Sequence, residues 1–177
     1  MYQAIITYDK SSEFQFFWNG PFSNFYKCDL IIDKINFNCT EQYYMAQKAL
    51  FFKDHASYEK IMKAPHPIEQ KQLGRSILNF NADEWNAVSK NIMFKANMQK
   101  YIQNPILGEL LINTFPKILV EASPYDLIWG IGLTEERASK TNYEQWIGKN
   151  WLGFVLTNIR VCLMNNNLIL TGLNKVE

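Results

Sequence analysis

The sequence has little cysteine and no long apolar run among its 177 residues. Its three cysteines, Cys28, Cys39 and Cys162, are too few and too scattered for a disulfide framework or a CxxC metal site, so we interpret them as reduced packing residues. No apolar run approaches the length that spans a bilayer, and residues 1–14 lack the basic segment, apolar core and cleavage site of a secretory signal. These absences predict a cytoplasmic protein with no membrane partner.

An excess of charge of one sign is also missing. Eighteen Lys plus Arg face seventeen Asp plus Glu, which leaves a net charge of +1. No bulk field therefore attracts nucleic acid or acidic membrane, and any contact with nucleic acid must be local. A hydrophobic fraction of 47% and an aromatic fraction of 15% fit one globular domain with a core. Since no repeat or flexible linker divides the chain, we predict a single domain over residues 1–177.

Local patterns predict a predominantly helical α+β domain with a small sheet from the amino-terminal strands. β-branched and aromatic residues indicate strands over residues 2–8 and 13–18, joined by a polar turn. A polar pair, Asp33 and Lys34, interrupts an apolar run and indicates a hairpin over residues 28–37. Residues 117–121 indicate another short strand. Helix formers predict a helix with Thr40 as its N-cap at residues 40–52, and further helices at residues 56–64, 68–75, 82–101, 106–113, 135–141 and 150–164.

The helix at residues 40–52 carries chemically informative side chains on one face. Glu41, Tyr44, Met45 and Lys48 recur at i, i+3, i+4 and i+7, so a carboxylate and an ammonium point the same way. Seven residues of helix separate their Cα atoms by roughly 10 Å, a gap that long side chains and a small substrate could span. A solvated face with a helix-start acid and a later lysine explains the same pattern, and the sequence leaves both interpretations open.

Glycine and tryptophan are concentrated near the carboxyl end of the chain. Exposed backbone N–H groups can cradle a phosphate while an indole stacks on a base, so this composition suits a nucleotide. Turn glycines and core tryptophans in a packed corner would give the same composition. Asp126 lies just before this region and is either a catalytic carboxylate on a loop or a turn-capping residue. The concentrated residues are Trp129, Gly130, Gly132, Trp146, Gly148, Trp151 and Gly153.

Other common chemistries find no support. His55 and His66 have no partner at a metal-ligand spacing, so we predict no metal and no cofactor. No serine lies in a G-x-S-x-G setting, and no cysteine has a paired histidine, which argues against acyl transfer.

Five segments, taken in order, carry a family resemblance. They are FFWNGPFSNFY at residues 16–26, FNCTEQYYMAQKALFF at 37–52, PIEQKQLGR at 67–75, LVEASPYDLIWGIGL at 119–133 and WIGKNWLG at 146–153. Together they resemble the YbiA-like N-glycosidase family, also called the NADAR superfamily, from about residue 16 to residue 160. The resemblance implies the YbiA-like fold, a compact and mostly helical hydrolase that cleaves an N-glycosidic bond between a ribose carbon and a nitrogen.

The same resemblance implies two classes of substrate. One is ADP-ribose attached to guanine bases of nucleic acid, and the other is a ribosylamino-pyrimidine phosphate of early riboflavin biosynthesis. We expect the protein to remove ADP-ribose from ADP-ribosylated guanine in DNA or from a related ribosylated nucleotide. The riboflavin intermediates are the alternative substrates, and a non-catalytic ADP-ribose-binding module is the alternative of a different class. The oligomeric state is left open.

The family's functional positions carry over residue by residue. The resemblance implies Glu41, Lys48 and Asp126 as catalytic residues. Lys34, where the family often has glycine, and Thr157, in an otherwise apolar stretch, depart from the pattern without touching these three positions. The positions implied to bind substrate are Trp18, Asn24, Tyr44, Trp129, Gly130, Gly132 and Asn150.

The chemistry of the reaction suits these residue types. Breaking a ribosyl C–N bond builds positive charge on the ribose, which a carboxylate such as that of Glu41 would stabilise while a donor protonates the departing nitrogen. In the alternative route Lys48, with a pKa lowered by burial, attacks the anomeric carbon of a ring-opened ribosylamine and forms a Schiff base. Glu41 or Asp126 would then move protons. Neither route requires a metal.

Overall fold

The computed structural model describes residues 14–173, with side chains described to residue 165. The strand predicted at residues 2–8 and the turn after it lie outside the described residues. In chain order the elements are β1 (Phe14–Phe17), β2 (Leu30–Ile32), β3 (Ile35–Phe37), α1 (Thr40–Phe51), α2 (His55–Lys63), α3 (Pro67–Arg75), α4 (Ala82–Gln103), α5 (Pro105–Ile112), β4 (Ile118–Glu121), α6 (Glu135–Ala138) and α7 (Trp151–Leu173).

This architecture confirms the predicted fold class, a mostly helical α+β chain with little sheet. Most helices agree with the prediction within about two residues at each end. Two differ more: α6 stops at Ala138 and is followed by a 3₁₀ turn at Tyr143–Gln145, whereas α7 continues past the predicted residue 164 to Leu173. No helix within residues 14–173 combines the length and the apolar character needed to cross a membrane.

The chain divides into two compact units. The central unit is Asn19–Leu107, and the terminal unit combines Met1–Trp18 with Gly108–Glu177. The single-domain organisation over residues 1–177 stays a prediction.

The central unit contains the predicted hairpin. β2 and β3 pair antiparallel with Leu30 opposite Phe37, and the turn between them is formed by Asp33 and Lys34 with φ values of 52° and 67°. Both residues adopt the left-handed conformation that glycine and asparagine favour, so the glycine that the resemblance implies at position 34 would suit this turn. The Lys95 ammonium lies 2.7 Å from an Asp33 carboxylate oxygen and supports the turn from α4.

Helix α1 forms the core of the central unit and packs against α2, α3 and α4. Ala46 and Ala49 are fully buried at these contacts. The predicted N-cap was wrong by one residue. Cys39 caps the helix, because its Sγ accepts from the Gln42 N–H at 3.4 Å, while Thr40 is the first helical residue. The Thr40 hydroxyl instead contacts the backbone and side-chain oxygens of Asn24.

The terminal unit is built on a parallel strand pair that joins distant parts of the chain. β1 pairs with β4, with Phe14 opposite Ile118 and Phe17 opposite Glu121. The small sheet was expected from the amino-terminal strands, and the observed partner of β1 lies about 100 residues further along. α7 packs against β4. In α7 the Thr157 hydroxyl accepts from the Leu119 N–H at 3.4 Å, so this departure from the family pattern contacts the strand directly.

Candidate active site

Helix α1 buries both of its predicted catalytic side chains. Glu41 lies in the first turn with 4% of its surface exposed, and Lys48 lies two turns later with 9% exposed. The interpretation of this pattern as a solvated face is therefore wrong. Removing a charged carboxylate and a charged amine from water costs solvation free energy, which a pair on the surface does not lose. Buried ionisable groups of this kind are concentrated at functional sites.

The Lys48 amine occupies a defined position. Its Nζ donates to the Gly74 carbonyl oxygen at 2.8 Å and lies 3.9 Å from the centre of the Phe80 ring. Burial lowers the pKa of Lys48, the charge of Glu41 opposes the shift, and the charge of Arg75 adds to it. The amine is thus moved toward its neutral, nucleophilic form, while the Phe80 ring and the Gly74 carbonyl still accommodate the cation.

The other two residues of this face of α1 pack inside the central unit. The Tyr44 hydroxyl accepts from the Trp85 indole N–H at 2.8 Å, and the two rings lie 5.1 Å apart. Met45 fills the space beside Gly74, where a Cβ would collide with the Met45 side chain. This close contact holds α3 against α1 and keeps the Gly74 carbonyl at the Lys48 amine. The role of Tyr44 in substrate binding stays a prediction.

Asn24 belongs to the loop that leads into the hairpin and is tied to the start of α1. Its carbonyl oxygen accepts from the Glu41 N–H at 3.1 Å. The Thr40 hydroxyl lies 3.0 Å from Asn24 Oδ1 and 3.1 Å from the same carbonyl oxygen, and Asn97 Nδ2 lies 3.1 Å from Asn24 Oδ1. Asn24, predicted to bind substrate, is therefore connected through the backbone to the predicted catalytic carboxylate.

Lys100 is a buried cation that sequence reasoning missed. It has no exposed surface, and its Nζ donates to the Ser23 carbonyl oxygen at 2.9 Å. Burial lowers the pKa of Lys100 to about 8, while Cys28 and Cys39 act in the opposite direction. One signal pointed to it: Ser89, Asn97 and Lys100 are polar residues on the same stripe of α4 as the buried Trp85 and Met93. A polar residue on an apolar helix face marks a buried hydrogen-bond network.

The pKa of Lys100 predicts a pH-dependent stability. Between about pH 8 and pH 10 the folded lysine loses its proton while the unfolded one, with its ordinary pKa of 10.5, keeps it. The unfolded state then binds more protons, so the free energy of unfolding rises with pH through this window. We expect it to rise by about 1–3 kcal/mol relative to Lys100→Met, because each pKa unit corresponds to roughly 1.4 kcal/mol.

Urea unfolding of both proteins at a series of pH values from about 7 to 10 measures this difference. The comparison cancels contributions from groups that do not interact with Lys100. Cys28→Ser in both proteins removes that of Cys28, because the Lys100 charge lowers the pKa of this thiol. Parallel pH profiles of the wild type and Lys100→Met would show that Lys100 keeps its ordinary pKa.

In the terminal unit, Asp126 organises the loop before the glycine and tryptophan region. Its Oδ1 accepts from the Ile128 N–H at 3.0 Å and from the Trp129 N–H at 2.9 Å. These are the bonds of a turn-capping aspartate, the second interpretation that the sequence allowed. They occupy one carboxylate oxygen, and the catalytic assignment of Asp126 stays a prediction.

The two predicted glycines lie where side chains do not fit. A Cβ on Gly130 would meet the Glu121 carbonyl oxygen at 2.9 Å, and Gly132 has a φ of 72°. The segment that carries Gly148 to Leu152 runs alongside this turn, with the Asn150 N–H donating to the Gly130 carbonyl oxygen at 3.1 Å. These contacts are those of a packed corner. Contact of Gly130 and Gly132 with substrate stays a prediction.

Asn150 holds strand β4 in place through two side-chain hydrogen bonds. It has a φ of 50°, its Oδ1 accepts from the Glu121 N–H at 3.0 Å, and its Nδ2 donates to the Leu119 carbonyl oxygen at 3.0 Å. The side-chain amide of Asn150 therefore makes the two backbone hydrogen bonds that a neighbouring strand would make with this edge of β4. Its assignment as a substrate ligand stays a prediction, and the observed contacts give it a structural role.

Trp18 and Trp129 differ in their surroundings. Trp18 is 45% exposed, and its ring centre lies 6.0 Å from that of Tyr125, which is 82% exposed. Trp129 is half-buried and meets Trp151 edge-on at 5.7 Å. Of the two predicted stacking residues, Trp18 is the one with a large open face.

A groove of about 660 Å³ in the central unit lies apart from these predicted positions. Its walls are formed by Tyr26–Asp29, Asn38 and Gln103–Leu107. No predicted site residue lines it. We therefore do not assign substrate to this groove.

The predicted residues thus fall into two groups, each held by its own unit. The central unit carries Asn24, Glu41, Tyr44 and Lys48, and the terminal unit carries Trp18, Asp126, Trp129, Gly130, Gly132 and Asn150. Within residues 14–173 no group of three His, Cys, Asp or Glu side chains is arranged to hold a metal ion.

Comparison with known proteins places the chain in a family. The NADAR domain model matches residues 13–164. The chain belongs to the NADAR family. This NADAR chain is 46% identical over 120 residues to N-glycosidase R617 of Acanthamoeba polyphaga mimivirus, covering 68% of this chain and 71% of that protein. It is 34% identical over 154 residues to N-glycosidase Npun_R5314 of Nostoc punctiforme, covering 87% and 91%.

A solved structure also resembles this NADAR chain. The NMR structure of the Escherichia coli protein YbiA matches with a TM-score of 0.74 and 28% identity, over 93% of this chain and 92% of that one. The match confirms the YbiA-like fold that the sequence motifs predicted. It covers both the central and the terminal unit.

Proposed function

We propose that this protein removes ADP-ribose from ADP-ribosylated guanine in DNA, or from a related ribosylated nucleotide, by hydrolysing the bond between the ribose carbon and the base nitrogen. As a NADAR protein with relatives named N-glycosidases, it is a hydrolase of N-glycosidic bonds. The observation that carries the proposal is the buried pair on α1, Glu41 and Lys48, since a carboxylate and an amine with lowered pKa suit ribosyl transfer to water.

In the direct route Glu41 stabilises charge on the ribose. As the C–N bond breaks, its electron pair stays on the base nitrogen, which takes up a proton, and the ribose carbon becomes positively charged. Water then adds its oxygen to that carbon and releases a proton. A carboxylate in a site of low water content is well suited to oppose the transient positive charge.

In the covalent route Lys48 is the nucleophile. The ribose ring first opens: its C–O bond at the anomeric carbon breaks, the ring oxygen takes the proton of the base nitrogen, and the carbon forms a double bond to that nitrogen. The neutral Lys48 amine adds to this carbon and its two protons pass to the base nitrogen, so the base leaves as an amine and Lys48 is joined to the ribose carbon by an imine. Water hydrolyses this imine and regenerates the amine. The lowered pKa of Lys48 supports this route. Its proximity to the Phe80 ring supports the alternative, in which the ammonium holds a hydroxyl or phosphate of the substrate.

A substrate panel tests the proposal. The protein is incubated separately with ADP-ribosylated guanine DNA, ADP-ribosylated thymine DNA and a ribosylamino-pyrimidine phosphate, and mass spectrometry follows released ribose products. We expect release from the guanine-linked substrate. Turnover of the pyrimidine phosphate alone would assign the metabolic reaction instead. ADP-ribose binding in calorimetry, without turnover of any substrate, would identify a non-catalytic reader.

Trp18 provides a test of base stacking. We expect Trp18→Ala to raise KM because a base stacked on an aromatic ring contributes roughly 1–3 kcal/mol. Since Trp18 is 45% exposed, the substitution should leave the thermal unfolding midpoint almost unchanged. Steady-state kinetics measures the change, with Leu110→Ala as the control because Leu110 is a similarly exposed apolar residue of the same unit and lies outside the predicted site. An unaltered KM would remove Trp18 from the substrate site.

A further inference from the structure

A residue of α4 outside every recognised motif controls the direction of a predicted substrate-binding side chain. We propose that Asn97 is a positioning residue that turns the Asn24 amide so that its NH₂ group is presented to an acceptor oxygen of the substrate. This inference rests on the proposed function, because it gives a role to Asn24 in that reaction. The atoms around the Asn97 and Asn24 amides determine how each of them is oriented.

The orientation of the Asn97 amide is fixed by a backbone carbonyl. Its Nδ2 lies 3.2 Å from the Met93 carbonyl oxygen, one turn earlier in α4, and Asn97 has no exposed surface. A carbonyl oxygen can only accept a hydrogen bond, so the atom facing it must be the amide nitrogen. The reversed amide would place two oxygens against each other inside the unit, with no water to separate them.

The Asn97 orientation in turn fixes that of Asn24. The same Nδ2 lies 3.1 Å from the side chain of Asn24, so the Asn24 atom that faces it must be Oδ1. The Thr40 hydroxyl lies 3.0 Å from this oxygen and 3.1 Å from the Asn24 carbonyl oxygen, and its single hydrogen can serve either. Asn97 Nδ2 and the Thr40 hydroxyl thus both face one end of the Asn24 amide. The Nδ2 at its other end is turned away from both of them.

The backbone that carries Asn24 is held just as firmly. Lys100 donates to the Ser23 carbonyl oxygen at 2.9 Å, and the Tyr101 hydroxyl donates to the Pro21 carbonyl oxygen at 3.3 Å. Both residues follow Asn97 on the same face of α4, one turn away. The loop therefore cannot rotate to compensate for a wrongly oriented amide. The amide direction depends on Asn97 and Thr40.

The remaining amide hydrogens of Asn24 are available to a ligand. Asn24 is 7% exposed, and its Nδ2 donates no hydrogen bond within the part of the chain that the structure describes. Asn24 Nδ2 is not one of the fully buried polar atoms that lack a partner, so it reaches solvent, and a bound acceptor oxygen can take the place of water at this donor. Since the Asn24 carbonyl accepts from the Glu41 N–H, this donor belongs to the same corner as the predicted catalytic carboxylate. Ribose hydroxyls and phosphates both carry such an oxygen.

The first experiment needs no turnover. In ¹H–¹⁵N spectra of the wild-type protein, the side-chain NH₂ of Asn24, assigned through Asn24→Asp, should exchange with water faster than that of Asn97. Ribose and inorganic phosphate, titrated separately, distinguish the two sources of the acceptor oxygen by which of them shifts the Asn24 signals. Equal protection of the two amides, or Asn24 signals that neither compound moves, would overturn the proposal even if the enzyme is active.

The second experiment is a double-mutant cycle on kcat/KM with Asn97→Leu, Asn24→Leu and the double variant. We expect Asn97→Leu to lower kcat/KM about tenfold, the usual consequence of losing one oriented hydrogen bond. In the Asn24→Leu background it should have almost no further effect, because it acts through Asn24. Asn91→Leu, on an exposed position of the same helix, is the matched control.

Additive losses in the cycle would mean that Asn97 has only a structural role. Asn97→Ser, which is smaller and keeps one donor, replaces Asn97→Leu if the latter fails to fold, as judged by thermal unfolding. If no substrate is turned over, the proposed reaction is wrong, and the exchange and titration results still decide whether Asn97 orients the Asn24 donor.

Discussion

Replacing Glu41 with glutamine should lower kcat by a factor of roughly 100 or more while substrate affinity stays near the wild-type value. Glutamine keeps the size of the side chain and its ability to accept a hydrogen bond, so only the negative charge is lost. That charge matters most when positive charge develops on the ribose, which happens in the transition state and not in the bound ground state. The loss should therefore fall on kcat.

Because Glu41 is buried, loss of its charge should have a large effect on the rate. With 4% of its surface exposed, its carboxylate acts in a site where charge is weakly screened. Glu69→Gln is the matched control, since Glu69 also lies in the first turn of a helix but is exposed. Single-turnover rates and calorimetric binding of ADP-ribose separate the two effects. A variant within about threefold of the wild-type rate would exclude Glu41 as the group that stabilises the transition state.

Local structure could be predicted from the sequence where short-range chemistry decides it. The hairpin is an example: Asp33 and Lys34 interrupt an apolar run, and the turn forms there although neither residue is glycine. Lys34 accepts a left-handed φ of 67°, a conformation that costs a non-glycine residue roughly 1–2 kcal/mol. The pairing of β2 with β3 and the ion pair from Lys95 to Asp33 offset that cost.

The pairing of strands that lie far apart in the chain could not be predicted from the sequence. The partner of β1 is β4, and nothing in either segment specifies a parallel neighbour so distant along the chain. The Cys39 N-cap was missed for a related reason. Thr40 is the better capping residue by its intrinsic preference, but its hydroxyl is used by Asn24, so the thiol one residue earlier caps the helix instead. Tertiary hydrogen bonds overrode the local preference.

The candidate site was predictable to the extent that motifs carried it. Helical spacing placed Glu41 and Lys48 on one face and the resemblance implied their roles, but whether they faced solvent or the core depended on α3 and α4, which pack against α1. Asn97 and Lys100 lie outside all five motifs. Their contacts are with backbone and side-chain atoms of the loop at residues 21–24, and such contacts leave only a faint trace in the sequence, the polar residues on the buried stripe of α4.

The second prediction concerns Lys48 and separates the two chemical routes. If Lys48 is the nucleophile, Lys48→Arg should abolish activity as completely as Lys48→Met, because a guanidinium stays protonated at any usable pH. If Lys48 acts only as a cation, arginine should retain a measurable part of the rate, since a guanidinium can still donate to the Gly74 carbonyl and stack on Phe80. Lys60→Arg, at an exposed position of α2, is the control. Thermal unfolding of each variant shows whether the buried position tolerates the larger group.

Borohydride added during turnover tests the covalent route directly. It would reduce the imine between Lys48 Nζ and the ribose carbon to a stable secondary amine. A modified lysine resists trypsin, so cleavage after Lys48 should fail and residues 35–53 should appear as one peptide carrying the added mass of the reduced ADP-ribosyl group. The pH profile offers an independent readout: because the lowered pKa of Lys48 governs the neutral fraction, kcat/KM should rise with pH through that pKa if the amine attacks. Absence of the adduct, together with an active Lys48→Arg enzyme, would leave direct hydrolysis stabilised by Glu41 as the mechanism.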